Sequence, residues 1–344
     1  MRPQPSHSEG QPLQPSHWFS AKAQGVSASL LSAVVLGLTA IFGKQAINAG
    51  TPPITVVMLR TVFATVMLWL AYLFFQPLRK FTYIYLIGFL GCMAAGLING
   101  VGSLMYYVGL SHLDASLAQL LYTIYPLLLT LLARLDGYPI SPFTVLRLSL
   151  GLGAVYLLIG LDSTHADPIG VLFMLGSGAL YALHLALNQR VLYDVPAPTV
   201  TLYTLTAMSL TVFGAYVISG RPMMPPNTLA WQSVLLLTVV TLISRLALFA
   251  GVKRLGGVQT ALLGLSELLV TVLTASVLLG EKLTQTQWLG AGLLGASVLL
   301  VIREKSLGTL PEPKPWFQVL TTPVPPTFPP PSPSTVTNSH KIGE

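Results

Sequence analysis

Ten mostly apolar runs, each about twenty residues long, follow one another along this chain. They occupy approximately 26–48, 54–75, 83–110, 115–134, 143–161, 169–190, 199–219, 230–252, 258–279 and 286–302. About twenty apolar residues carry a helix across the hydrocarbon core of a bilayer. Short connectors rich in breakers and charge separate the runs, such as Gly50-Thr51-Pro52-Pro53, Asp136-Gly137-Tyr138-Pro139 and Arg221 to Asn227. Barrel strands would alternate apolar with polar residues in segments of about ten, and these runs do not. The expected fold is an all-α integral membrane protein with ten transmembrane helices. The tightest boundaries, after Ser111 and after Lys253, are those where two spans could fuse into one helix.

Composition agrees. Hydrophobic residues make up 53% of the chain and charged ones 8%, against roughly 25% charged in a soluble domain. The mean hydropathy is +0.70. A net charge of +7 would suit nucleic acid, but the cations stand singly or in pairs between apolar runs, so no nucleic-acid partner is expected. The one cysteine, Cys92, excludes an intramolecular disulfide and a cysteine metal site, and reads as a packing residue. Gly151-Leu152-Gly153 lacks the strand and acid of a dinucleotide fingerprint, and no cofactor or metal is expected. Residues 1–24, long and proline-bearing, read as a disordered arm rather than a secretory signal. Residues 304–344 read as a proline-rich disordered tail, either solvated or a docking peptide.

Charge orients the spans. With both termini cytoplasmic, Arg2, Lys22, Arg79, Lys80, Arg134, Arg147, Arg190, Lys253, Arg254, Arg303 and Lys305 fall inside. Only Lys44, Arg221 and Lys282 fall outside. A bias of eleven to three satisfies the positive-inside rule, and implies a cell-membrane, multi-pass protein with an even number of spans.

The chain also repeats. At an offset of 142 residues Gly109, Leu113, Leu120, Leu127, Gly153 and Ala154 meet Gly251, Leu255, Leu262, Leu269, Gly295 and Ala296. At 145 residues Gly25, Ser32 and Pro53 meet Gly170, Ser177 and Pro198. A unit of five spans is odd, so its second copy must enter the membrane the other way up. Two inverted-topology five-helix repeats, 25–161 and 162–303, are therefore expected, an arrangement common among secondary transporters.

The pattern Tyr107-Val108-Gly109-Leu110, Leu113-Asp114-Ala115-Ser116 and Tyr125-Pro126-Leu127 resembles the EamA-type drug/metabolite transporters. So does its echo, Gly251 to Gly257, Glu267 and Leu279-Gly280-Glu281-Lys282-Leu283-Thr284. The resemblance covers roughly 25–303 and implies a ten-helix, two-repeat carrier of small metabolites, usually driven by a proton or exchange gradient. The sequence departs from it at Gly137-Tyr138-Pro139, where a Gly-Glu turn would stand, and at Leu268, which replaces the second-half proline.

An ionisable group inside a span needs a reason, because placing it there costs a few kcal/mol or more. Glu267 is the only acid well inside a run, on a stripe with Thr260, Leu263, Gly264, Thr271 and Thr274. It is either a proton-coupling carboxyl or structural glue. Arg245, on a stripe with Thr238 and Thr241, either pairs with Glu267, holds an anionic substrate group, or snorkels to the interface. Ser177, Tyr181, His184 and Asn188 share a face, with His184 a substrate or proton contact or a packed histidine. Asn99, Ser103 and Tyr106 line the third run, and Gln119, Tyr122 and Tyr125 crowd the fourth, as a cavity wall or as packing. Arg60 and Lys44 read as structural, Lys44 as an interfacial anchor.

The expected function is secondary transport of a small metabolite, amino-acid- or drug-like, by alternating access with proton or exchange coupling. His184, Asn188, Asn99, Tyr122, Tyr125, Gln119 and Arg245 would contact substrate and Glu267 would couple protons. The protein would act as a monomer or homodimer. A membrane-embedded enzyme or a non-transporting scaffold working through its tail are the alternatives.

Overall fold

The computed structural model describes residues 15–135, 140–159, 167–278 and scattered positions between 285 and 300, all-helical with short turns. Its elements are α1 (Pro15–Asn48), α2 (Pro53–Phe74), α3 (Gln76–Arg79), α4 (Leu86–His112), α5 (Ala115–Tyr122), α6 (Tyr125–Leu135) and α7 (Pro142–Ile159). After them come α8 (Pro168–Asp194), α9 (Ala197–Ile218), α10 (Thr228–Leu255), α11 (Gly257–Gly264) and α12 (Ser266–Leu278). Eight spans among the described residues are long and apolar enough to cross a membrane, with α5–α6 and α11–α12 each counting as one. The fifth run is the 18-residue helix α7. Most of the tenth run, the turn at 279–284 and the C-terminal tail lie outside the described residues.

Breakers set the helix ends. Pro53 and Pro168 take first-turn positions, where a missing N–H costs little. Asp167 caps α8 by accepting from the Ile169 amide at 2.9 Å, and Asn227 caps α10 by accepting from Ala230. Gly256, at φ +86° and ψ 162°, makes a turn open only to glycine and separates α10 from α11. Neither tight boundary is therefore a fused helix. α1 starts at Pro15, ahead of the first apolar run and within residues 1–24. Pro15 suits a first helical position, and Ala21 and Ala23 propagate the helix into the apolar run.

The fourth and ninth runs are both broken. Pro126 lacks an N–H and crowds the carbonyl four residues back, that of Tyr122, where α5 stops. In the ninth run Leu268 offers no such ring, yet α11 ends at Gly264, and the Leu265 and Leu268 amides reach back only three residues. The two breaks sit at corresponding places: Tyr125 plus 142 is Glu267. The broken helices cross, α5 packing on α12 and α6 on α11.

Around that crossing α1 lies along α10, and α4 along α8. The contacts come in matched pairs. Ser32 Oγ donates to the Ser244 carbonyl at 3.0 Å, and its counterpart Ser177 Oγ donates to the Gly102 carbonyl at 2.7 Å. A Cβ on Gly25 would press on Leu255 and Arg254; one on Gly170 would press on Leu113 and His112. Gly251 abuts Ser29 as Gly109 abuts Met174. Each pair differs by the sequence offsets, so helices of one half grip helices of the other through the same positions. Small residues make such close approaches possible inside a membrane.

The outside is apolar. Leu70, Phe74, Leu172, Leu210, Phe213 and Ile218 are exposed, a surface that matches lipid rather than water. The polar side chains turn inward, with Arg60, Asn99, Gln119, His184, Asn188, Arg245 and Glu267 all buried.

Candidate functional site

The interior polar residues form one connected cluster where α2, α4, α5, α8, α10 and α12 meet. Its helices are held close by small residues. Gly96 of α4 meets the Thr204 carbonyl and Ala207 of α9, and Gly178 of α8 lies against the Tyr122 carbonyl freed by the α5–α6 break.

Two arginines anchor the cluster. Arg245 is 7% exposed and donates to Nε2 of His184 and to Oδ1 of Asn99, both at 3.4 Å. Guanidinium has no acceptor, so Nε2 of His184 accepts and its Nδ1–H donates to the Ala95 carbonyl at 2.9 Å. Arg245 thus points into the bundle and does not snorkel. No ion pair joins it to Glu267, although it lies within that carboxyl's electrostatic reach. Its guanidinium stands 5.6 Å from the Tyr181 ring centroid, a cation–π geometry.

Arg60, read from the sequence as structural, is the second arginine of the cluster. At 4% exposure it donates to Thr241 Oγ1 at 3.0 Å and Ser103 Oγ at 3.3 Å, over the Tyr107 ring and near Arg245. The available signal was its depth, a cation in the middle of an apolar run. Depth alone did not reveal its partner, since Thr241 stands 181 residues away. Lys44, read as structural, closes the end of α4, its Nζ donating to the Leu110 and Leu113 carbonyls.

Glu267 lies in the first turn of α12, the second segment of the broken ninth span, and is 4% exposed. The break interrupts the polar stripe expected around it, and Thr271 Oγ1 bonds the Gly37 carbonyl at 2.8 Å. Gln119 lies beside Glu267 and accepts from Tyr106 Oη at 2.8 Å, while its amide nitrogen finds no acceptor in hydrogen-bonding geometry. A small cavity, with room for about one water, is lined by Glu267, Tyr125, Tyr181, Ser29, Ser32 and Thr260, among others. Tyr122, Tyr125 and Tyr181 pack on one another with centroids 4.9–5.5 Å apart, and Tyr181 stacks on His184. Asn188 donates to the His184 carbonyl and accepts from Thr204 Oγ1.

All eight residues singled out from the sequence, His184, Asn188, Asn99, Tyr122, Tyr125, Gln119, Arg245 and Glu267, belong to this cluster or its wall. Glu267, Tyr125 and Tyr181 face the cavity, and the others stand behind them. At the rim, Nδ1 of His112, the last residue of α4, meets Oδ2 of Asp167, just ahead of α8, at 2.6 Å. The Ile169 amide, and then His112, hold the Asp167 carboxyl below the usual carboxylate range.

A multi-pass helical protein with a lipid-like exterior, a twice-matched scaffold and a buried polar centre is a membrane carrier by architecture. The chain belongs to the EamA-like transporter family, whose model matches residues 23–160 and again 168–303. It is similar to the uncharacterized transporter YcbK of Bacillus subtilis, 25% identical over 293 residues, covering 78% of this chain and 90% of that one. An uncharacterized transporter of Archaeoglobus fulgidus is 27% identical over 295 residues, covering 83% and 99%. A solved crystal structure at 18% identity, covering 82% of this chain and 96% of its own, superposes with a TM-score of 0.64 and shares the fold.

Proposed function

We propose that this chain is a secondary transporter of a small amino-acid- or drug-like metabolite, working by alternating access between two inverted five-span halves. The observation that carries the reading is the pair of broken helices, α5–α6 and α11–α12, crossing at corresponding places beside buried polar side chains. Interrupted spans at matched positions are where transporters of inverted-repeat design put their sites. The matched contacts Ser32–Ser244 and Ser177–Gly102 support a symmetry axis exchanging the halves. The ends support opposite insertion: Lys22 and Arg254 stand where the other half has Asp167 and His112. With 286–302 as the tenth span, both termini are cytoplasmic in the cell membrane.

Glu267 is the proton-coupling group in this reading, held between water in the cavity and the Arg245–Gln119 side of the cluster. Glu267→Gln keeps the shape and removes the titrating proton. In proteoliposomes this variant should insert normally and lose pH-gradient-driven flux, while exchange of internal for external substrate persists. Undiminished proton-driven flux in Glu267→Gln would sink the coupling role.

A further inference from the structure

The charge inventory of the cluster is lopsided. Two guanidinium groups, Arg60 and Arg245, are buried and near one another. Their hydrogen-bond partners are neutral: Thr241, Ser103, Asn99, the Nε2 acceptor of His184 and the Tyr181 hydroxyl. Glu267, the one carboxyl in the cluster, is not paired with either. A buried guanidinium is ordinarily matched by a carboxylate, because an unmatched charge away from water is expensive.

One guanidinium also has hydrogen-bonding capacity to spare. Buried Arg60 Nε finds no acceptor in hydrogen-bonding geometry, and the hydroxyl of Tyr107, the ring beneath it, is unpartnered too. Guanidinium N–H groups only donate and a tyrosine hydroxyl can do so, so one acceptor here would serve both. A cation or neutral amine would meet two like charges at this place. An oxyanion would match them, through charge-assisted hydrogen bonds of the strong kind. Around the arginines lie Tyr106, Tyr107, Tyr122 and Tyr181, ring faces for an apolar body. Tyr181 faces the cavity and also carries Arg245 over its ring, so a solute entering beside Glu267 reaches that guanidinium by displacing one tyrosine.

We propose that the solute is an organic oxyanion, a carboxylate or phosphate ester with an aromatic or aliphatic body, whose anionic group docks between Arg60 and Arg245. This rests on the transporter reading for the word solute; the anion site itself does not. Arg60 and Arg245 are here binding residues, one from each half, so the site is complete only when the halves are together.

The test uses the purified full chain in detergent, with thermal unfolding as the readout, since a ligand of the folded state raises the melting temperature. The probes are benzoate, phenyl phosphate, methyl benzoate and benzylammonium. Benzoate or phenyl phosphate should stabilise the protein, and methyl benzoate and benzylammonium should not. Arg60→Gln and Arg245→Gln should each weaken the oxyanion by at least about tenfold, roughly one charge-assisted hydrogen bond, and Arg→Lys at either place should recover part of it. Whichever of benzoate and phenyl phosphate binds more tightly separates carboxylate from phosphate. No stabilisation by either oxyanion, or equal stabilisation by the methyl ester, overturns the inference without any variant having to fold. Oxyanion binding without flux in proteoliposomes would leave the site standing and remove the transport reading; flux of amines without oxyanion binding would do the reverse.

Discussion

The two halves of this molecule agree where they touch and disagree where they hold chemistry. Ser32 and Ser177, Gly25 and Gly170, and Gly109 and Gly251 make the same contacts in exchanged positions. Across the same offsets Glu267 corresponds to Tyr125, Arg245 to Ser103, His184 to Thr39, and Arg60 to Leu205. A scaffold that must pack in two equivalent ways retains matching surfaces, because close-packed interfaces tolerate little change in volume. A ligand has no such symmetry, so the groups that would meet it are free to differ.

The largest effect expected from this contrast is on the scaffold. Gly251→Leu and Gly109→Leu should each destabilise by about 1–3 kcal/mol, the range for overpacking a filled interior, and by similar amounts in the two halves. Thermal unfolding in detergent measures this, and a large disparity between the twins would break the idea of a common scaffold. A smaller effect belongs to the serine bonds: Ser32→Ala and Ser177→Ala should each cost about 0.6 kcal/mol, typical for a hydrogen bond between membrane helices. Additive loss in the double variant would sharpen the picture to two independent copies of one contact.

The smallest effect lies at the unmatched ends. Because its carboxyl is held below the usual range, Asp167 adds stability above that range and loses it as pH falls through its folded value. Asp167→Asn should therefore melt slightly lower than the parent near neutral pH, and the gap should close on acidification below about pH 4. A gap that persisted at low pH would assign the effect to the cap geometry alone. Lys22→Asn, the matched position, should show no such closure.

Much of this was legible in the sequence because hydrocarbon imposes simple rules. Twenty apolar residues, a proline at a helix start and a cation bias are local signals, and they give the eight described spans and their ends. The repeat was legible because glycines and serines in matched contacts are conserved in register within the chain itself. The start of α1 at Pro15 was not, since a polar helical turn outside the membrane carries no apolar signature. Nor was the break at Gly264–Leu265, where no proline announces it; glycine there abuts the Tyr125 hydroxyl across the bundle, a contact that no linear pattern encodes. The partners of Arg60 were hidden for the same reason, because Thr241 and Ser103 stand on other helices.

The Arg60–Thr241 bond also sets a timetable. The ribosome adds about 5–20 residues per second, and 181 residues separate the two partners. Once α2 has been made, roughly ten to forty seconds pass before α10 exists to receive its guanidinium. During synthesis Arg60 must wait with only Ser103 and the Tyr107 ring of α4 beside it, holding a charge that hydrocarbon rejects by a few kcal/mol. The insertion machinery, or a locally thinned bilayer, has to shelter the first half until the second arrives. Cells short of that help should degrade this chain as a half-built molecule before α10 appears.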